Sequence, residues 1–222
     1  MEVIARIKTD FPFKFGIPRQ IGITDDEAFI IFEKKFRVDA ALSGISEYSY
    51  LWLIWEFSEN KRTSWSPTVR PPRLGGNKKV GVFATRSSFR PNSLGLSSVR
   101  LLEVLKNEEY GTYLKVSGAD MMDNTPIYDI KPYIPYTDSH PLAKASFAEK
   151  YRNFKIPVNF KEGTEEAVPC EKMENLIKIL SNDPRPTYHK DGREYAFEYA
   201  SLRIKFIYEN GAITVTETKK IK

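Results

Sequence analysis

Short aromatic and β-branched runs, cut at close intervals by Gly, Pro, Asn and Asp, fill the first two thirds of the chain. Residues of this kind suit a pleated, half-buried surface, and the breakers supply the turns, so the region reads as strands. Ala28-Phe29-Ile30-Ile31-Phe32 is one clear run. Tyr50-Leu51-Trp52-Leu53-Ile54-Trp55-Glu56-Phe57 is another, almost continuous in large apolar residues, the pattern of a strand covered on both faces or crossing a barrel interior. No helical pattern alternates regularly with the strands. That argues against a doubly wound nucleotide-binding sheet and for a mainly antiparallel sheet, curved or closed.

The pattern changes between Ser139 and Val168, where polar and charged residues take over. A chain of 222 residues with 41% hydrophobic content can bury one sizeable core and leave room for a smaller unit. We therefore expect residues 1–140 to form the main β domain and residues 141–222 a linker followed by a small α+β domain. In the latter, Met173, Leu176, Ile177 and Leu180 fall at helical spacing from Cys170 onward, with Asn182 and Pro184 as stop signals. Leu202, Ile204 and Phe206 alternate with more polar neighbours before Glu209-Asn210-Gly211 turns the chain into Ala212-Ile213-Thr214-Val215. This is a hairpin expected to pack on the helix.

Several function classes are disfavoured by composition. Cys170 is the sole cysteine, so no internal disulfide or thiolate cluster can form, and His140 and His189 are too few for a histidine-rich metal site. No metal is expected. The start lacks a basic segment followed by a long apolar core, and no run is long enough to cross a bilayer as a helix, which predicts a soluble cytoplasmic protein. A formal charge of +5 permits binding to a phosphate backbone without requiring it.

Chemistry concentrates between Trp65 and Ser98. Arg70, Arg73, Arg86 and Arg90 lie within 21 residues among Pro67, Pro71, Pro72, Gly75, Gly76 and Gly81. Prolines fix the backbone and glycines admit close approach, so the guanidinium groups can be held in preset directions, which suits recognition of carboxylate or phosphate.

The run Gly81-Val82-Phe83-Ala84-Thr85-Arg86-Ser87-Ser88-Phe89-Arg90-Pro91-Asn92, continuing through Ser93-Leu94-Gly95-Leu96-Ser97, closely resembles the signature of the TrmO family of tRNA methyltransferases. Further landmarks follow the family's order: Pro18-Arg19-Gln20, Tyr50-Leu51-Trp52, Asp123-Asn124-Thr125-Pro126, Asp129-Ile130-Lys131-Pro132-Tyr133 and Asp183-Pro184-Arg185-Pro186. The resemblance spans essentially the whole chain. It implies a small β-barrel that binds S-adenosylmethionine outside the Rossmann scheme, commonly as a homodimer, plus a C-terminal domain concerned with tRNA. The implied reaction is methyl transfer to N6 of N6-threonylcarbamoyladenosine at position 37, in the anticodon loop of threonine tRNA.

By the same resemblance, Pro18, Arg19, Gln20, Ser58, Glu59, Arg86, Leu96, Asp123, Asn124, Thr125 and Pro126 are expected to line the cofactor pocket. Asp123 or Asp129 is a candidate to accept the N6 proton, with Tyr128 or Tyr133 orienting the base. Arg70, Arg73, Arg90, Asn92 and Lys131, with Arg185, Tyr188, Lys190 and Arg193 of the small domain, are candidate contacts to tRNA. The family pattern is departed from in two places: Ser93-Leu94 replaces Pro-Ile, and Asn124 replaces a glycine, a change that can preserve a left-handed turn. Two other readings stay open: a tRNA-binding module with little catalysis, and a methyltransferase acting on another RNA or a small molecule.

Overall fold

The protein is described here by a computed structural model covering residues 1–60, 64–186 and 191–221, so Tyr188, His189 and Lys190 lie outside the described residues. In chain order the strands are β1 (Ala5–Lys8), β2 (Glu27–Phe32), β3 (Tyr50–Glu56), β4 (Thr68–Val69), β5 (Val80–Gly81), β6 (Leu94–Asn107), β7 (Gly111–Ser117), β8 (Pro126–Pro132), β9 (Val158–Phe160), β10 (Glu194–Tyr199), β11 (Leu202–Glu209) and β12 (Ala212–Lys220). Among the described residues there are two α-helices, α1 (Pro135–Asp138) and α2 (Cys170–Ser181). Six strands close a barrel in the order β1-β2-β7-β6-β3-β8, every neighbouring pair antiparallel. Closure removes the exposed sheet edges that an open sheet of these apolar strands would carry.

Side-chain alternation fills the barrel. On β3, Leu51, Leu53 and Trp55 point inward and are buried, while Trp52, Ile54 and Glu56 point outward and are half-buried. The apolar run therefore is not a strand covered equally on both faces; it is a barrel wall whose outer side is also apolar. Leu51, Leu53 and Val99 meet Ile7, Ile30, Leu114, Val116 and Ile127 in one core, and each such burial contributes about 1.5–3 kcal/mol. At the β3–β6 pair, Trp55 sits opposite Gly95. A Cβ on Gly95 would lie 2.2 Å from Cε2 of that indole, so glycine is what lets the ring lie flat against β6.

The expected hairpin is part of a second sheet, ordered β10-β11-β12-β9 with β9 parallel to β12, and the expected helix is α2. Leu176, Ile179 and Leu180 of α2 pack with Ile204, Phe206, Ile213 and Val215. The polar stretch between Ser139 and Val168, read as linker, also supplies β9, whose Val158 and Phe160 pack on this core. Phe11, from the segment linking β1 and β2, enters the same core, with its ring centroid 5.3 Å from that of Tyr199. Near it, Oδ1 of Asp26 accepts from Lys172 at 3.0 Å, Asn175 at 3.0 Å and Tyr199 at 2.7 Å, and Lys172 also pairs with Asp10. The two cores are thus joined by a buried polar node as well as by apolar packing.

Candidate active site

A cleft of about 540 Å³ opens beside β3 and β6. Its wall combines Ile17, Ile21, Trp52, Trp55, Phe57 and Leu96 with polar groups from four separate stretches of chain. Of the residues expected to hold a cofactor, Pro18, Arg19, Gln20, Ser58, Glu59, Arg86, Leu96 and Thr125 line it. Leu96 is 60% exposed because β6 turns alternate residues outward, Gly95 and Ser97 inward. The Ser93-Leu94 departure leaves the entry to β6 intact: the Phe57 amide donates to the Ser93 carbonyl at 2.8 Å, and Leu94 pairs with Glu56.

Asp123, Asn124 and Pro126 are placed behind this wall rather than in it. Oδ1 of Asp123 accepts from the Thr9 amide at 3.0 Å, closing a turn against the end of β1. Asn124 adopts φ of 62°, the left-handed conformation its glycine-like position demands. Thr125, which does line the cleft, is buried and donates its hydroxyl to the Met122 carbonyl at 2.7 Å. Asp129 lies outside the cleft, caps the Ile130 amide at 2.9 Å and pairs with Lys131 at 3.1 Å. Tyr128 donates to Oε2 of Glu56, a cleft residue, at 2.5 Å; this bond, with burial second, pushes the phenol up to about 12.

Three of the lining residues absent from the expected set are linked in a relay. Trp55 Nε1 donates to Ser97 Oγ at 3.0 Å, and Ser97 Oγ donates to Oδ1 of Asp120 at 2.6 Å. Burial raises the Asp120 carboxyl above the usual range; the Ser97 hydrogen bond and the Arg86 charge act in the opposite sense. The relay joins β3, β6 and the turn after β7, so only the pairing of Leu53 with Ser97, which sets Trp55 beside Ser97, could have pointed to it.

A wider cleft of about 1610 Å³ adjoins the first and shares Arg19, Gln20, Glu56, Arg86 and Arg90 with it. Arg70, Arg73, Arg90 and Asn92 all line it. Arg70 and Asn92 are exposed, whereas Arg90 is turned onto its own loop, donating to the carbonyls of Val82 at 3.2 Å and Thr85 at 2.7 Å. Arg73 stacks over Tyr151 at 4.8 Å and Phe154 at 5.4 Å, and burial lowers its guanidinium pKa. Arg185 is 5% exposed, pairs with Asp183 and lies over the Tyr208 ring. That guanidinium is part of the interior. Arg193 and Lys131 are exposed, Arg193 near the Tyr195 ring. Arg19 donates to the carbonyls of Asp183 at 3.0 Å and Arg185 at 2.9 Å, which fastens this wall of the smaller cleft to the segment after α2.

Two family models match this architecture, the tRNA-methyltransferase O N-terminal domain over residues 6–139 and the TrmO C-terminal domain over residues 154–221. The chain belongs to the TrmO family. It is similar to the tRNA (adenine(37)-N6)-methyltransferase of Escherichia coli K12, 38% identical over 90% of this chain and 87% of the relative. A Pseudomonas aeruginosa protein carrying the name "Putative S-adenosylmethionine-dependent methyltransferase RcsF" is 35% identical over 92% of this chain and 90% of its own. Among solved structures, TrmO from Pseudomonas aeruginosa superposes with a TM-score of 0.73 at 28% identity, covering 98% of each chain. Among the described residues, no helix is long and apolar enough to cross a membrane and no group of side chains is arranged to hold a metal ion.

Proposed function

We propose that this TrmO-family enzyme methylates N6 of adenosine 37 in tRNA, and that its substrate is N6-threonylcarbamoyladenosine in the anticodon loop of threonine tRNA. The carrying observation is the junction of two clefts: a small, partly aromatic one of cofactor size opening onto a wide one edged with arginines. S-adenosylmethionine fits the first by chemistry. Leu96, Phe57 and Ile21 offer an apolar wall for a purine, Glu59 and Gln20 suit ribose hydroxyls, and Arg86 suits a carboxylate. When bound, it supplies an activated methyl group on a good leaving group.

The chain's own task is alignment and proton removal. N6 of the modified adenosine is conjugated to the purine and to a carbamoyl group, so its lone pair is poorly nucleophilic and its N–H must be lost. Exposed Arg70 and Asn92, in the wide cleft, are suited to the nucleotide's phosphates and to the threonyl carboxylate. We assign methyl transfer to residues 1–140 and further tRNA contact to residues 141–222, with Lys131 and Arg193 as exposed basic positions and Tyr188 and Lys190 in the same stretch of chain. Work on tRNA implies a cytoplasmic protein. The outer face of β3 and β6 exposes Tyr50, Leu96 and Leu102, a surface suited to a second copy of the chain, so the proposed state is a homodimer.

Labelled S-adenosylmethionine incubated with threonine tRNA, with and without the threonylcarbamoyl group, tests the reading. Label is expected only in the modified tRNA, with affinity falling steeply as salt rises. RNA binding without methyl incorporation would refute catalysis; mass in solution tests the dimer.

A further inference from the structure

We propose that Asp120 is the catalytic base, its Oδ2 accepting the N6 proton of the adenosine; this rests on the methyl-transfer reading given above. The direction of the relay carries the argument. An indole N–H can only donate, so Ser97 Oγ accepts from Trp55, and the single Ser97 proton is then committed to Oδ1 of Asp120. In the carboxylate, Oδ1 is therefore already engaged as an acceptor, which leaves Oδ2 for an arriving proton. Asp120 is half-buried and lines the cofactor-sized cleft, within reach of a group bound there.

The other carboxylates are differently employed. Glu56 accepts from Tyr128, Glu59 is exposed, Asp123 caps the Thr9 amide and Asp129 pairs with Lys131 outside the cleft. The role assigned from sequence to Asp123 or Asp129 passes to Asp120. Burial also holds the Asp120 carboxyl above its ordinary range, nearer the pH at which a base works efficiently. The charged groups around the cleft are Lys14, Arg19, Glu56, Glu59, Arg86 and Arg90, of which Arg86 bears directly on Asp120.

The step balances. As the proton passes from N6 to Oδ2, the N–H electron pair stays with nitrogen while a nitrogen pair forms the N–CH₃ bond, and the S–CH₃ pair returns to sulfur. One positive charge on the donor and one negative charge on Asp120 disappear together.

The full-length protein, Asp120→Asn and Ser97→Ala would be compared in two measurements. The first is affinity for S-adenosylhomocysteine, followed by quenching of tryptophan fluorescence; the second is the pH profile of kcat with modified tRNA. Asp120→Asn keeps an acceptor for Ser97 and removes a charge that burial disfavours, so it should fold and bind S-adenosylhomocysteine within about threefold of wild type while kcat falls by roughly 10²–10⁴. Ser97→Ala removes a hydrogen bond that favours the carboxylate, so the acid limb of kcat should move to higher pH. A kcat for Asp120→Asn within tenfold of wild type, a parallel loss of S-adenosylhomocysteine binding, or an unmoved acid limb in Ser97→Ala would overturn the assignment. Wild-type protein that binds S-adenosylhomocysteine but methylates no tRNA would instead overturn the functional reading, and the assignment with it.

Discussion

Replacing Gly95 with alanine tests how tightly the cleft wall is built. The added Cβ would stand 2.2, 2.5 and 2.7 Å from Cε2, Cζ2 and Cδ2 of Trp55. Carbon atoms in contact prefer about 3.5–4.0 Å, so the indole must retreat by more than about 1 Å. It has little room, being 5% exposed and 4.3 Å from Phe57 between ring centroids. Overpacking of this kind costs about 1–3 kcal/mol, and losing the Trp55–Ser97 hydrogen bond adds about 0.5–1.5 kcal/mol. The expected destabilisation is therefore about 2–4 kcal/mol, or a Tm lower by roughly 4–16 °C for a chain of this size. Differential scanning calorimetry measures it, and tryptophan emission should shift as the ring is displaced. A Gly95→Ala variant with wild-type Tm and emission would show that the indole is not held as described.

Arg19→Met should lower the unfolding free energy by about 2–4 kcal/mol in a urea titration, since two charge-assisted bonds to the carbonyls of Asp183 and Arg185 are lost; an unchanged midpoint would refute the clamp. For Lys172, burial lowers the ammonium pKa but hydrogen bonds to Asp10 and Asp26 outweigh it, so the folded value is raised. A raised folded value means stabilisation that is fully present below the unfolded pKa of about 10.4 and is lost as pH rises through the folded one. Between wild type and Lys172→Met, a difference in slope of Tm against pH should appear in that alkaline range. Tyr128→Phe should remove, from an ultraviolet titration of phenol ionisation, a component near about 12; loss of a component near the ordinary value of about 10 would contradict the Glu56 bond.

Strand character was readable where alternation or a long apolar run marked it, as in β2, β3 and the β11–β12 hairpin, and α2 where spacing and Pro184 bounded it. β9 was not, because its three residues lie in a polar stretch and become a strand only by pairing with β12. The site divides along the same line. Eight of the positions expected to hold a cofactor line the cleft, most of them on local motifs. Asp120 escaped notice because its meaning depends on Ser97, a neighbour only after β6 and β7 have paired. Arg73 and Arg185 look alike in sequence to any cation that could face RNA; aromatic faces at Tyr151, Phe154 and Tyr208, distant in sequence, are what claim them.

Phe11 sits in the core built by α2 and β10–β12, stacked on Tyr199. During synthesis it leaves the ribosome before any of those elements exist, so the second core cannot close until β12 has emerged. Phe11 must stay available to partners made long after it, and a chain interrupted after the barrel would display an unburied aromatic side chain to the cell's quality control.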